Sequence, residues 1–138
     1  MKKTVGFVVL IIALLAFVPF GAFASGDSEE ADVVTIGISF GTLQQERWTR
    51  ERGMMEDYAS ELGGIEILVQ SADSDATMQN QQAENLITQG VDVLIVIPQD
   101  AEASGVIVEE AHAAGIPVIA YDRMINNADV DVYVSFDS

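Results

Sequence analysis

An α/β fold, an open and mostly parallel sheet with helices on both faces, is what this sequence predicts. Two observations carry the prediction. From Val33 onward, short β-branched runs alternate with stretches of helical period, the order that builds right-handed strand–helix crossovers. The pairs Gly64-Ile65, Gly90-Val91 and Gly115-Ile116 also recur 26 and 25 residues apart. Each places a helix-ending glycine directly before an apolar strand, at the spacing of one strand–helix unit.

The elements follow in order. Val33 to Ser39 (VVTIGIS) is short and β-branched, a first strand. In Glu46 to Leu62 the residues Trp48, Met55, Ala59 and Leu62 form one stripe of a 3.6-residue period, a helix. Ile65 to Val69 is the second strand. Asp75 is placed to cap a second helix through Gln89, with Met78 or Gln79, Ala83, Leu86 and Ile87 facing inward. Val91 to Ile97 (VDVLIVI) is nearly all Val, Ile and Leu, as expected of a parallel strand covered on both faces. A third helix spans Glu102 to Ala114, a fourth strand Pro117 to Tyr121, and Val130 to Phe136 begins a fifth.

Ahead of this lies a leader. Lys2 and Lys3, the uncharged apolar run Val5 to Val18, the break at Pro19 and Gly21, and Ala22-Phe23-Ala24 before Ser25 read as an export signal over residues 1–24. The rival is a retained anchor, because residues 4–26 carry no charge and are long enough to span a bilayer. Residues 25–32 (SGDSEEAD) read as a flexible mature N-terminus, and 33–138 as the folded lobe.

The 138 residues carry 6 Lys+Arg, 22 Asp+Glu, one His and no Cys, a formal charge of −16. Without Lys2 and Lys3, four basic residues face 22 acidic ones, a net −18. Nucleic acid is excluded as a partner, since phosphate backbones are bound by Lys and Arg clusters absent here. No thiol nucleophile, disulfide or Cys-based metal site is available. His112 stands alone and no metal is expected. Asp73-Ser74-Asp75 imitates the start of a calcium loop, but Met78 stands where the loop needs glycine, so capping is the better reading. No glycine-rich phosphate loop and no nucleophile–base pair occurs, so the chain reads as a binding protein, not an enzyme, with no cofactor.

In open parallel sheets ligands gather at the carboxyl ends of the strands. The loop after the first strand holds Gln45, Arg47 and the only Trp, Trp48. An indole can stack on a sugar or base and a guanidinium can donate a planar fork of hydrogen bonds. Equally, Trp48 can be core and Arg47 can pair with Glu46 or Glu51. After the fourth strand come Asp122 and Arg123, suited to hydroxyls that both donate and accept, or to a mere surface ion pair.

Glu46-Arg47-Trp48, Gln82 to Ile87 running into Gly90 to Pro98, Tyr121 to Asn126 (YDRMIN) and Tyr133 to Asp137 (YVSFD) together resemble the periplasmic sugar-binding proteins of bacterial ABC transporters, and their xylose-binding branch most. The resemblance covers residues 34–138. It implies the N-terminal lobe of a type I periplasmic binding protein, with the chain stopping short of a second lobe. It further implies a monosaccharide ligand, D-xylose or a related aldose, and a periplasmic location. The partner would be an inner-membrane permease and, in some members, a chemoreceptor. It assigns Arg47, Trp48, Asp122 and Arg123 to the sugar, with Trp48 as stacking platform and Gln45 as a looser match. Gly41 and Thr42 stand where the xylose-binding pattern often has acidic residues, which leaves the sugar open. A membrane-tethered sensory domain is the alternative reading.

Overall fold

The computed structural model describes residues 32–136. The expected leader and all of the 25–32 segment but Asp32 lie outside them. Five strands, β1 (Val34–Phe40), β2 (Ile65–Ser71), β3 (Val93–Ile97), β4 (Val118–Tyr121) and β5 (Val132–Val134), form one sheet in the order β2-β1-β3-β4-β5. Every pairing is parallel. Three helices, α1 (Glu46–Leu62), α2 (Ala76–Thr88) and α3 (Gly105–Ala113), make the crossovers.

The period-2 alternation of the strands divides the interior in two. On one face Ile38, Phe40 and Ile97 pack against Trp48 of α1, with Met55, Ile67, Val69 and Ile95 around them. On the other, Leu94, Val96, Val118 and Ala120 pack against Ala83 and Leu86 of α2 and Ile107, Val108 and Ala111 of α3. β3 is the central strand, which explains its uninterrupted apolar composition. β5 is an exposed edge.

α1 has the predicted bounds. α2 is capped as expected, Asp75 Oδ1 accepting from the Met78 N–H at 2.9 Å. Gly90 and Gly115 have φ of +76° and +77°, the left-handed values a helix-terminating glycine supplies at low cost. α3 starts at Gly105, three residues later than expected. Asp100 is the reason: its Oδ1 accepts from the N–H groups of Glu102 and Ala103 at 3.0 and 2.7 Å, and its carbonyl accepts from Ser104 Oγ at 2.8 Å. These local bonds hold 101–104 in turns. β5 is shorter than the predicted run, and Asp131 leads into it. The Asp131 Oδ2 accepts from the Val118 N–H and lies 2.8 Å from His112 Nε2.

Candidate functional site

The chain goes leftward from β1 to β2, then returns past β1 to β3. The loops leaving β1 and β3 therefore diverge, and the crevice between them lies at the carboxyl ends of the strands. Gly41, first after β1, donates its N–H to the Ile97 carbonyl at 2.9 Å. Its Cα lies so close to Gln99 that a methyl group there would come within 2.8 Å of the Gln99 backbone.

The chain then turns into α1. Gln45 is the N-cap residue, extended (φ −87°, ψ 134°) and exposed; its side chain makes no capping bond. Its carbonyl accepts from the Trp48 N–H at 3.0 Å. Two residues on, Arg47 leans out over the sheet end. Its Nε donates to Glu51 Oε1 at 2.7 Å, the i,i+4 pair, and its Nη2 donates to Asp122 Oδ1 at 2.7 Å. Glu51 first, and Asp122 second, raise the arginine pKa, so the guanidinium stays charged.

The Arg47–Asp122 bond joins residues 75 positions apart. It links the start of α1, which follows β1, to the residue just after β4, although β3 lies between those strands in the sheet. The guanidinium is also held between two aromatic rings, 4.3 Å from the Trp48 centroid and 4.4 Å from that of Phe136.

Asp122 has φ +68°, and the Arg123 N–H bonds the Tyr121 carbonyl at 2.9 Å. An i→i+2 bond around a positive φ marks a γ-turn of the strained kind. A non-glycine residue in this region is expected to cost on the order of 1–2 kcal/mol. Three bonds over-determine it: Asp122 N–H to the Val134 carbonyl at 2.8 Å, Tyr133 hydroxyl to the Asp122 carbonyl at 3.2 Å, and the bond from Arg47. The Asp122 side chain is 14% exposed, and its second oxygen, Oδ2, lies 3.9 Å from Nε of Arg123, whose side chain is 52% exposed. Burial, followed by the neighbouring Glu51 carboxylate, raises the pKa of the Tyr121 phenol behind it.

Arg47, Asp122 and Arg123 are thus brought together. Trp48 is placed otherwise than a platform would be. It is 3% exposed, edge-on to Phe40 at 6.4 Å between centroids, with Arg47 over its ring. The reason is the α1 stripe, which turns its large apolar residues onto the sheet. Aromatic rings with open surface at this end are those of Phe136 and Tyr133, 54% and 41% exposed. Sequence reasoning passed over Phe136 and Tyr133 as contributors, because only the pairing of β5 on β4 carries them here. Glu51 was legible from its i,i+4 spacing to Arg47.

Chemically, the cluster presents carboxylate oxygens that only accept and guanidinium N–H groups that only donate, side by side. A groove of about 480 Å³ runs along α1 from the edge of this cluster, lined by Glu51, Met54, Met55, Tyr58 and Tyr121.

A model of the periplasmic binding protein domain matches residues 36–138. The chain is 41% identical over 126 residues to the D-xylose-binding periplasmic protein of Haemophilus influenzae, covering 91% of this chain and 37% of that protein. It is 44% identical over 108 residues to the D-xylose-binding periplasmic protein of Escherichia coli, covering 78% and 32%. Among solved structures it resembles an ABC transporter solute binding protein of Clostridium phytofermentans with bound β-D-glucose. That similarity has a TM-score of 0.70 at 34% identity and covers 75% of this chain and 32% of that one. The chain spans about a third of the length of the relatives it matches. Fold, family model and relatives agree that this chain belongs to the periplasmic binding protein domain family, whose sugar-binding relatives are transport proteins and not enzymes.

Proposed function

We propose that the chain forms one wall of a sugar cleft, taking D-xylose or a related aldose as the periplasmic binding component of an ABC importer. Asp122 carries this reading. A carboxylate held at φ +68° and braced by Arg47 at the mouth of a parallel sheet is strain maintained at a place where ligands gather. Asp122 accepts from sugar hydroxyls; Arg47 and Arg123 donate to ring and hydroxyl oxygens. Each charge-assisted bond contributes on the order of 1.5–3 kcal/mol. Trp48 backs the Arg47 guanidinium from within the core, and Gln45, exposed at the loop, can reach the rim. The relatives' names favour xylose, while the glucose in one structural neighbour keeps other aldoses in play. A second lobe closes over the liganded wall and the closed form docks on a permease.

Calorimetric and NMR titration with D-xylose, L-arabinose, D-ribose, D-glucose and D-galactose tests this. D-Xylose should give the strongest response, centred on Arg47, Asp122 and Arg123. Asp122→Asn, which tolerates the left-handed backbone but removes the charge, should weaken it at least about tenfold. No response at these residues to any of the five sugars refutes the reading.

A further inference from the structure

We propose that Gln79 is the positioning residue of this site, a brace that sets where the β1 and β3 loops part and so where Arg47 stands relative to Asp122. The proposal rests on the sugar reading above for its functional consequence only. Gln79 lies in the first turn of α2 and is fully buried (0% exposed). Its Nε2 is 3.2 Å from the Ser39 carbonyl, 3.2 Å from Ser39 Oγ and 3.0 Å from the Ile97 carbonyl. Its Oε1 accepts from the Gln99 N–H at 2.8 Å. One side chain thus bonds the penultimate residue of β1, the last residue of β3 and the loop beyond β3.

A helix packing on a sheet needs only an apolar residue here, as Ala83 and Leu86 supply further along α2. A primary amide buried at this point is tolerable because each of its polar atoms is bonded. All of its partners belong to β1, β3 and the loop beyond β3, the segments that separate at the crevice. Immediately above, Gly41 and Gln99 touch too closely for any added carbon. Gly41 is also tied to Ile97 on one side and to the Ser74 N–H on the other. Arg47 follows β1 and Asp122 follows β4, with β3 between those strands, so a splaying of β1 from β3 at this end displaces the guanidinium from the carboxylate. Gln79 closes that fork from below.

The test compares wild type with Gln79→Met, which keeps length without hydrogen bonds, and Gln79→Glu, which keeps acceptors and loses both donors. Two quantities are read: NMR positions of the Arg47 Nε–H and of the Gly41 and Gln99 amides, and the response to D-xylose. Both variants should move these three resonances while those of Val108 and Ala111 in α3 stay in place. The xylose response should weaken about tenfold, the loss expected when a buried bonded group is left unpaired. Unmoved Arg47 and Gln99 resonances with wild-type xylose response overturn the proposal. Loss of the folded spectrum in both variants also overturns it, since Gln79 would then hold the whole fold and not the loops. If wild type responds to no sugar while the three resonances still move, the sugar reading fails and the brace stands.

Discussion

Replacing Trp48 with alanine separates a core residue from a ligand platform. The indole is 3% exposed and fills the space between α1 and Ile38, Phe40 and Ile97. Truncating a buried Trp to Ala costs about 3–5 kcal/mol. The edge-on contact with Phe40 is lost as well, which places the expected value in the upper half of that range. A domain of this size has a total stability of about 5–15 kcal/mol. At about 4–8 °C per kcal/mol, the midpoint should fall by roughly 16–40 °C. The assay is urea and thermal unfolding followed by far-UV circular dichroism, since Trp48 is the only Trp and its fluorescence vanishes with it. Trp48→Phe, which keeps an aromatic ring over Arg47, should recover more than half of the loss. A change below about 1 kcal/mol in Trp48→Ala, with sugar response abolished, refutes the reasoning. It would place the indole at the ligand and not in the core.

Gly41→Ala should destabilise by about 1–3 kcal/mol, because the added carbon meets Gln99 backbone at 2.8 Å, whereas Gly53→Ala, mid-helix with nothing within 4 Å, should stabilise by about 0.5–1 kcal/mol; urea midpoints decide both, and the reverse order contradicts the close approach. Bonds from the Val118 N–H and then His112 lower the Asp131 pKa below its ordinary 3.8, so its contribution to stability is fully present above that pH and is lost as pH falls through the lowered value. The stability difference between wild type and Asp131→Asn should therefore shrink on acidification below about pH 3.8; a difference that grows on acidification would reverse the sign.

Much of the fold was legible because it is written locally. The 3.6-residue stripe of α1, the Asp75 cap, and the glycines before β2, β3 and β4 depend on residues within a turn or two of one another. Where expectation and structure part, a bond between near neighbours escaped notice, as when Asp100 holds 101–104 out of α3. The loops to search followed from the strand–helix alternation, and Arg47, Asp122 and Arg123 lie in them.

What the sequence determined by itself was therefore the parallel α/β order, the loops at which a ligand would gather and the polar character of those loops. Tertiary structure alone decided which groups meet there. Strand order brings the end of β4 within reach of α1, so Arg47 finds Asp122 across 75 residues and takes its place between Trp48 and Phe136. The same order buries Gln79 in the fork between β1 and β3. Periodicity is a property of the chain taken one turn at a time. Such meetings arise only when distant segments share a sheet, and burial then determines whether an aromatic faces ligand or core.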